Sequence, residues 1–430
     1  MNTQRRPNAH ARLPRANETP QPREGASRRI VARRLVAASV IVAVALVAPG
    51  GARLLDFALR IGAGALLEKS VAQFYASPVP SPAAAEPGTI ERQERVAAAP
   101  AGTVAWRILY HSVDVDGTDT LVSGLVVAPN TLAPESNRTV VSWAHPTTGT
   151  AARCAPSSGI APFSLIEGLT DLIAAGNIVV AADYAGMGIA GPPSFLIGVT
   201  EAANVLDIVR AARTIDTIHA SNRVVLWGHS QGGHAALFGA QEAEIYAPEL
   251  EITGVAVAAP ATDLGALLKA DEGDVSGVTI GAYAFDSYSR AYPSRLPIVD
   301  PLSGILTSAG ATAVPAMAKL CLLGQNRELH TIATPLIGSF LSADPDTAPG
   351  WKEILAENTP TQAPLAVPLF VAQGGKDTLV RPEITAAYVA SQTQGGTTVE
   401  SHVLVNSTHA TVALDALPSL LTWMRSLHQQ

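Results

Sequence analysis

Short apolar segments alternate with helical segments in the middle of the sequence, and this alternation limits the folds open to the chain. NIVVAADYAG, RVVLW and EITGVAVAAP are typical of buried strands, and TEAANVLDIVRAARTI has the spacing of an amphipathic helix. A further helix is predicted over Gln231–Tyr246, directly after RVVLWGHS. Because strands separated by helices pair in parallel through right-handed crossovers, we predict an α/β fold with a mainly parallel central sheet.

Upstream of this region, turns rather than helices separate the strand-like segments. TVAWRILYHSV (103–113), TLVSGLVVAP (120–129) and TVVSWAHP (139–146) flank the turn-rich DVDGTD and PNTLAPESN. We therefore predict an antiparallel meander before the parallel part of the sheet.

The N-terminus combines a basic leader with an apolar segment. Residues 1–34 contain nine Arg and two Glu, a net charge of +7, so the rest of a chain of net charge −7 carries −14. An acidic body argues against nucleic acid as a partner. Residues 35–52 contain LVAASVIVAVALVA and small residues after it, which indicate a signal peptide or, with so basic a flank, a membrane anchor. We expect a protein that is secreted or anchored to the outer face of the membrane.

The sequence contains two cysteines, Cys154 and Cys321. Two are too few for a thiolate metal site, and outside the cytoplasm a disulfide is their usual state, with two buried free thiols as the alternative. No metal or organic cofactor is predicted.

The segment GHSQG, residues 228–232, matches the nucleophile elbow G-x-S-x-G. The motif requires a strand before it and a helix after it, and RVVLW and the helix from Gln231 supply both. Glycine is needed because side chains at the flanking positions would collide with the neighbouring strand or helix. We predict Ser230 as a nucleophile; an ordinary tight turn is the alternative.

A serine nucleophile needs a base and an acid that orients the base, here expected downstream with the acid first. His409 in NSTHAT follows the strand-like VESHVLVN, and Asp377 follows the buried strand PLFVAQGG. Both positions suit the carboxyl edge of a parallel sheet, where catalytic groups gather. The other candidates are His330, His402 and His428 for the base, and Asp344, Asp346 and Asp415 for the acid. The alternative role for Asp377 is a helix cap.

Two backbone N–H groups are predicted to hold the oxyanion. One belongs to Gln231, the residue after the nucleophile, and the other to Thr147 or Thr148 in the loop HPTTGT. For His145 in the same loop we predict a structural role.

About a hundred residues, 264–363, lie between EITGVAVAAP and PLFVAQ. A structureless loop of that length is improbable, so we predict a helical cap inserted into a core formed by residues 70–263 and 364–430.

These motifs resemble the secretory lipases of the yeast lipase A-like branch of the α/β-hydrolases, from about residue 74 to the C-terminus. The similar segments are SWAHPTTGTAARCAPS, DYAGMG with the helix after it, GHSQGGHAALF, QGGKDTLV and NSTHA. The resemblance implies an α/β-hydrolase fold, a triad of Ser230, Asp377 and His409, a Cys154–Cys321 disulfide and a cap that encloses an acyl-binding passage. The yeast lipase that typifies the branch is expected to carry an aspartate in the oxyanion loop, where this chain has HPTT.

Together these features predict a serine lipase or esterase that hydrolyses carboxylic esters, acylglycerols above all, through an acyl-enzyme on Ser230. The ester or lipid substrate is the expected partner, together with a membrane that the apolar N-terminal segment would contact. An acyltransferase with the same triad, a peptidase and a non-catalytic binding protein are the alternatives. The sequence does not indicate the oligomeric state or the preferred acyl chain length.

Overall fold

The apolar strands of the sequence form a mainly parallel sheet in the centre of the protein. A computed structural model describes residues 72–76, 85–96, 99–131, 138–159, 161–296 and 300–427, all within one compact unit. The strands of the described residues are β1 (Ile90–Arg95), β2 (Thr103–Val113), β3 (Asp119–Pro129), β4 (Arg138–Ala144), β5 (Ile178–Ala182), β6 (Ala220–His229), β7 (Glu251–Ala258), β8 (Leu369–Gly374) and β9 (Val399–Leu404). Their order is β1-β2-β3-β5-β4-β6-β7-β8-β9. From β5 onwards in this order every pair is parallel, which confirms the predicted sheet.

The antiparallel part differs from the predicted meander. β1 pairs with β2, β2 with β3 and β3 with β5, all antiparallel. The meander is wrong in its last step, because β4 pairs with β5 and β6 instead of β3. β4 is buried from Thr139 to Ala144. A strand that is buried on both faces belongs in the middle of a parallel sheet.

The described residues form eleven α-helices. They are α1 (Ala72–Ala76), α2 (Leu169–Ala174), α3 (Gly198–Arg213), α4 (Gln231–Tyr246), α5 (Leu264–Ala270), α6 (Val275–Ala291), α7 (Ser308–Met317), α8 (Leu322–Ala333), α9 (Trp351–Glu357), α10 (Pro382–Gly395) and α11 (Val412–Leu427). The predicted helix over Gln231–Tyr246 is confirmed as α4. Buried side chains of α3, α4 and α10 pack on one face of the sheet, and those of α2 and α11 pack on the other.

The chain between β7 and β8 contains α5 to α9 and packs around aromatic side chains. The Phe285 ring lies 5.0 Å from the Trp351 ring and 6.1 Å from the Phe340 ring, measured between centroids. These side chains are buried in the same apolar cluster as Trp227 of β6. We call the chain between β7 and β8 the inserted segment. It shares a hydrophobic core with the face of the sheet that α2 and α11 cover.

The predicted leader, 1–34, and the predicted signal peptide or anchor, 35–52, lie outside the described residues. Within the part of the chain that the structure describes, no helix has the length and hydropathy needed to cross a membrane.

Candidate active site

Ser230 lies in a sharp turn between β6 and α4. Its backbone has φ of 58° and ψ of −116°, which is uncommon for a residue with a side chain. A Cβ atom at Gly228 would lie 1.9 Å from the carbonyl oxygen of Gly232, and one at Gly232 would lie 1.8 Å from the carbonyl oxygen of Ala144. Backbone atoms cannot yield at such distances, so both motif glycines are required for the turn.

Asp377 and His409 approach Ser230 from loops that follow β8 and β9. The Asp377 Oδ1 atom accepts hydrogen bonds from the N–H groups of Leu379 and Val380, both 2.9 Å long. Its Oδ2 atom lies 2.8 Å from His409 Nδ1, and His409 Nε2 lies 2.9 Å from Ser230 Oγ. The structure thus joins the three predicted residues in one hydrogen-bonded chain. In this order, the imidazole can take the hydroxyl proton while the carboxylate orients the ring.

The other candidate histidines and aspartates lie elsewhere. They are His330 in α8, His402 in β9, Asp344 and Asp346 in the loop before α9, and Asp415 in α11. His402 contacts Glu400 of its own strand, and Asp415 accepts a hydrogen bond from the Ser407 hydroxyl. His428 lies outside the described residues.

His145 is buried in the loop after β4, and its ring faces backbone carbonyls. Nδ1 lies 2.7 Å from the carbonyl oxygen of Pro146, and Nε2 lies 3.3 Å from that of Asp183. The ring also packs on Tyr184, with centroids 4.4 Å apart. Burial lowers the pKa of His145 to about 4, so the imidazole is neutral at pH 7. These contacts fit the structural role predicted for it.

The predicted oxyanion donors Gln231 and Thr147 line the same pocket as Ser230. Gln231 is the first residue of α4, so its N–H has no acceptor within the helix. Thr147 lines the same pocket as Ser230 and Gln231. Thr148 is turned inward: its hydroxyl donates to the carbonyl of Cys154 at 3.0 Å, and its carbonyl accepts from the N–H of Leu322 at 2.9 Å. Of the two threonines, Thr147 is therefore the one placed on the pocket side.

A disulfide connects the loop after β4 to the inserted segment. Cys154 and Cys321 are bonded, with Cα atoms 5.3 Å apart and a sequence separation of 167. The predicted disulfide is confirmed, and the alternative of two free thiols is wrong. A Cβ atom at Gly149 would lie 2.7 Å from the Cys154 Sγ atom, so the loop packs directly against the bond. The bond therefore fixes the region that carries Thr147 and Thr148.

The pocket that contains Ser230 is lined mainly by apolar side chains. The inserted segment contributes Leu264 and Leu267 from α5, Ile280 and Ala284 from α6, and Leu355 from α9. Such a lining favours an apolar ligand next to the serine hydroxyl.

Asp271, directly after α5, is the charged residue in this lining. Its Oδ1 atom lies 3.2 Å from Arg381 Nη2. Burial, and then the nearby Asp274 carboxylate, raise the pKa of Asp271 to about 7, although Arg381 acts in the opposite direction. The charge of this wall of the pocket therefore changes near neutral pH.

A second histidine, His229, lies beside His409 and was not predicted to be part of the site. The His229 ring packs against the His409 ring with centroids 5.0 Å apart, and His229 Nδ1 lies 2.9 Å from Glu167 Oε2. His229 and Glu167 are both buried. The position of His229 inside the motif could have drawn attention to it, whereas nothing in the sequence near Glu167 indicates the contact.

The fold and the arrangement of the site define an α/β-hydrolase. The X-ray structure of Candida antarctica lipase A matches with a TM-score of 0.67 at 18% identity, over 80% of this chain and 83% of that one. The rice cell wall degrading esterase of Xanthomonas oryzae matches with a TM-score of 0.65 at 20% identity, over 79% of this chain and 98% of that one. The predicted fold class is confirmed.

The chain belongs to the secretory lipase family, whose model matches residues 165–429. It is 26% identical over 399 residues to Lipase A of Arthroderma benhamiae, covering 86% of this chain and 81% of that protein. It is also 25% identical over 366 residues to a Mycobacterium tuberculosis protein described as a probable inactive lipase. That match covers 79% of this chain and 78% of the relative. The resemblance found in the motifs is confirmed by this membership.

Proposed function

We propose that the protein hydrolyses carboxylic esters with Ser230 as nucleophile, His409 as base and Asp377 as the acid that orients the base. One observation carries this proposal: the continuous hydrogen bonds from Asp377 Oδ2 through His409 to Ser230 Oγ, 2.8 and 2.9 Å long. A protein without catalytic activity would have no need for this series of hydrogen bonds beside the strained turn at Ser230.

In the proposed reaction, Ser230 Oγ attacks the ester carbonyl carbon while His409 Nε2 takes the hydroxyl proton. The resulting oxyanion accepts hydrogen bonds from the N–H groups of Gln231 and Thr147. Collapse of the intermediate breaks the bond to the alcohol, which leaves with the proton from His409. A water molecule, activated by the same imidazole, then releases the carboxylic acid from the serine.

The pocket supports an apolar acyl group and therefore lipid-like esters such as acylglycerols. Its apolar walls include side chains from α5, α6 and α9 of the inserted segment, next to Ser230. We accordingly assign residues 264–363 as the cap of the site. Asp271 is the ionisable residue of the pocket wall. Because its pKa is raised to about 7, a large fraction of the Asp271 carboxyl groups is uncharged at neutral pH.

Secretion or attachment to the outer face of the membrane is the proposed location. It is supported by the basic leader, by the apolar segment at 35–52 and by membership of a family named for secretion.

The test compares the wild type with Ser230→Ala and with Ser391→Ala, a serine on α10 that serves as the matched control. We expect Ser230→Ala to fold normally and to lower kcat for p-nitrophenyl esters by about 10⁶-fold, with loss of fluorophosphonate labelling. The control should retain both. A series of acyl chain lengths on the wild type measures the preference for lipid-like esters, and added alcohol acceptors reveal any acyl transfer. Turnover that survives Ser230→Ala would refute the proposal.

A further inference from the structure

A buried carboxylate holds the side chain of Gln231, the residue after the nucleophile. The Gln231 Nε2 atom donates a hydrogen bond of 2.6 Å to Glu201 Oε1. The other amide atom of Gln231, Oε1, is buried without a hydrogen-bond partner among the described residues. Glu201 itself is completely buried in α3. The contact with Glu201 is therefore what fixes the Gln231 side chain.

Glu201 also fixes the loop that forms one wall of the pocket. Its Oε1 atom accepts a second hydrogen bond, of 3.0 Å, from the N–H of Leu196. Leu196 lines the pocket beside Ser230 and has a positive φ of 55°, a conformation that needs support from its surroundings. Its carbonyl accepts a 3.0 Å hydrogen bond from the Tyr288 hydroxyl of the inserted segment. One carboxylate thus holds both the turn at the nucleophile and a wall of the pocket.

The second oxygen of Glu201 leads to the inserted segment. Oε2 lies 3.1 Å from His234 Nδ1, and His234 Nε2 lies 2.7 Å from the carbonyl oxygen of Asn358, which follows α9. The Asn358 side chain accepts a 2.9 Å hydrogen bond from the N–H of Gly198, at the start of α3. His234 and Asn358 are buried, with 0% and 1% of their surface exposed. The network therefore connects α3, α4 and the cap beneath the serine.

A carboxylate without exposure to water is costly unless hydrogen bonds satisfy it, and Glu201 has three such contacts. It has no part in the hydrogen-bonded chain of Asp377, His409 and Ser230. Its contacts converge instead on Gln231, whose backbone N–H is a proposed oxyanion donor. An oxyanion donor acts only when it is held in place before the reaction, because a shift of about 1 Å lowers the rate strongly.

We propose that Glu201 is a positioning residue that holds Gln231 for oxyanion binding, and that His234 and Asn358 connect this support to the cap. The inference rests on the proposed function, because it assigns a role within the same reaction.

Glu201→Ala and Gln231→Leu test the proposal. Both remove the side-chain contact and keep the backbone N–H of Gln231, so we expect kcat to fall by about 10- to 100-fold while KM changes less than about threefold. Affinity for butylboronic acid, which forms a tetrahedral adduct with an active serine, should fall by the same factor as kcat. A purely structural role would lower the melting temperature without this matched change.

Glu201→Gln is the conservative variant. Its amide oxygen can still accept from Gln231 and Leu196, and its NH₂ group can donate to His234 Nδ1, so we expect kcat within about threefold of the wild type. Should Glu201→Ala fail to fold, Gln231→Leu and Glu201→Gln still decide the matter.

Asp207→Asn is the matched control, since Asp207 is a buried carboxylate on the same helix that contacts Ser112, Tyr246 and Arg210 instead. It should lower stability and leave kcat unchanged. Wild-type kcat and boronate affinity in folded Glu201→Ala and Gln231→Leu would overturn the inference. A wild type without ester turnover or fluorophosphonate labelling would instead refute the proposed function itself.

Discussion

The two sides of Ser230 are built differently. On the side of Gln231, the supporting groups are buried: Glu201 and His234 have 0% of their surface exposed, and Gln231 has 3%. On the other side, the His409 side chain is 19% exposed and its loop follows β9, the edge strand of the sheet. Val403 and Val405, next to that loop, are 63% and 72% exposed.

This contrast separates two requirements of the proposed reaction. Oxyanion donors have to stay fixed while charge develops, and a buried network with few conformations provides that. The base has to exchange protons with the alcohol and with water, so it needs access to solvent. Substitutions on the buried side should therefore affect stability and transition-state binding together, whereas those beside His409 should affect chemistry with little change in stability.

The largest expected effect is on the His409 side, from Asp377→Asn, although the Asp377 carboxylate itself is buried. The amide can keep the hydrogen bonds from Leu379 and Val380, but it presents an NH₂ group to His409 Nδ1 and so favours the wrong tautomer. We expect kcat for p-nitrophenyl butyrate to fall by about 10⁴-fold with an unchanged melting temperature. A loss below tenfold would show that Asp377 does not orient the base.

On the buried side, the Cys154→Ala, Cys321→Ala double variant releases the loop of Thr147 from the inserted segment. The bond joins positions with a sequence separation of 167, for which the chain-entropy model gives about 5 kcal/mol. We expect urea unfolding to show a loss of about 2 to 5 kcal/mol in the free energy of unfolding. A reductant should destabilise the wild type similarly and leave the double variant unchanged; equal stability of both proteins without reductant would contradict the prediction.

A smaller effect is expected for His145, also on the buried side. Its pKa falls from about 6.5 in the unfolded chain to about 4 in the folded protein, because burial disfavours the charged ring. The neutral ring therefore contributes stability above pH 6.5 that is lost as the pH falls towards 4, about 3 kcal/mol in all.

His145→Gln should be less stable at pH 7, because it changes the contacts of the ring, but its stability should fall less between pH 6.5 and 4. Urea unfolding at several pH values measures this slope. Parallel pH profiles for the variant and the wild type would show that another group is responsible.

The sequence predicted most of what local rules control. The bounds of α4 and the glycines beside Ser230 follow from a motif in which backbone contacts leave no room for a side chain. The position of β4 was not predictable in this way, because its neighbours are chosen by burial on both faces and not by the turn before it. β1 has no counterpart among the predicted strands, since IERQER has charged residues in place of an apolar face.

The buried residues that hold the site residues in place could not be predicted from the sequence. Glu201 meets Gln231 and His234 only after α3 and α4 pack together, and Glu167 meets His229 across the end of the sheet. Such contacts join residues distant in sequence whose local patterns indicate only helix or loop. The order of Ser230, Asp377 and His409 along the chain was informative because parallel strands bring their carboxyl ends to one edge.

The two outer strands of the sheet differ in how they discourage self-association. β1 places acidic and basic side chains along its edge, and Arg107 of β2 pairs with Glu94 there. Charged side chains on an edge strand oppose pairing with a strand of a second molecule, which is how many soluble proteins avoid aggregation. β9 exposes Val403, and Val405 is exposed directly after the strand; Glu400 is the acidic residue of β9. Aggregation of concentrated protein should therefore begin at β9, and a molecule added there would lie beside the loop of His409.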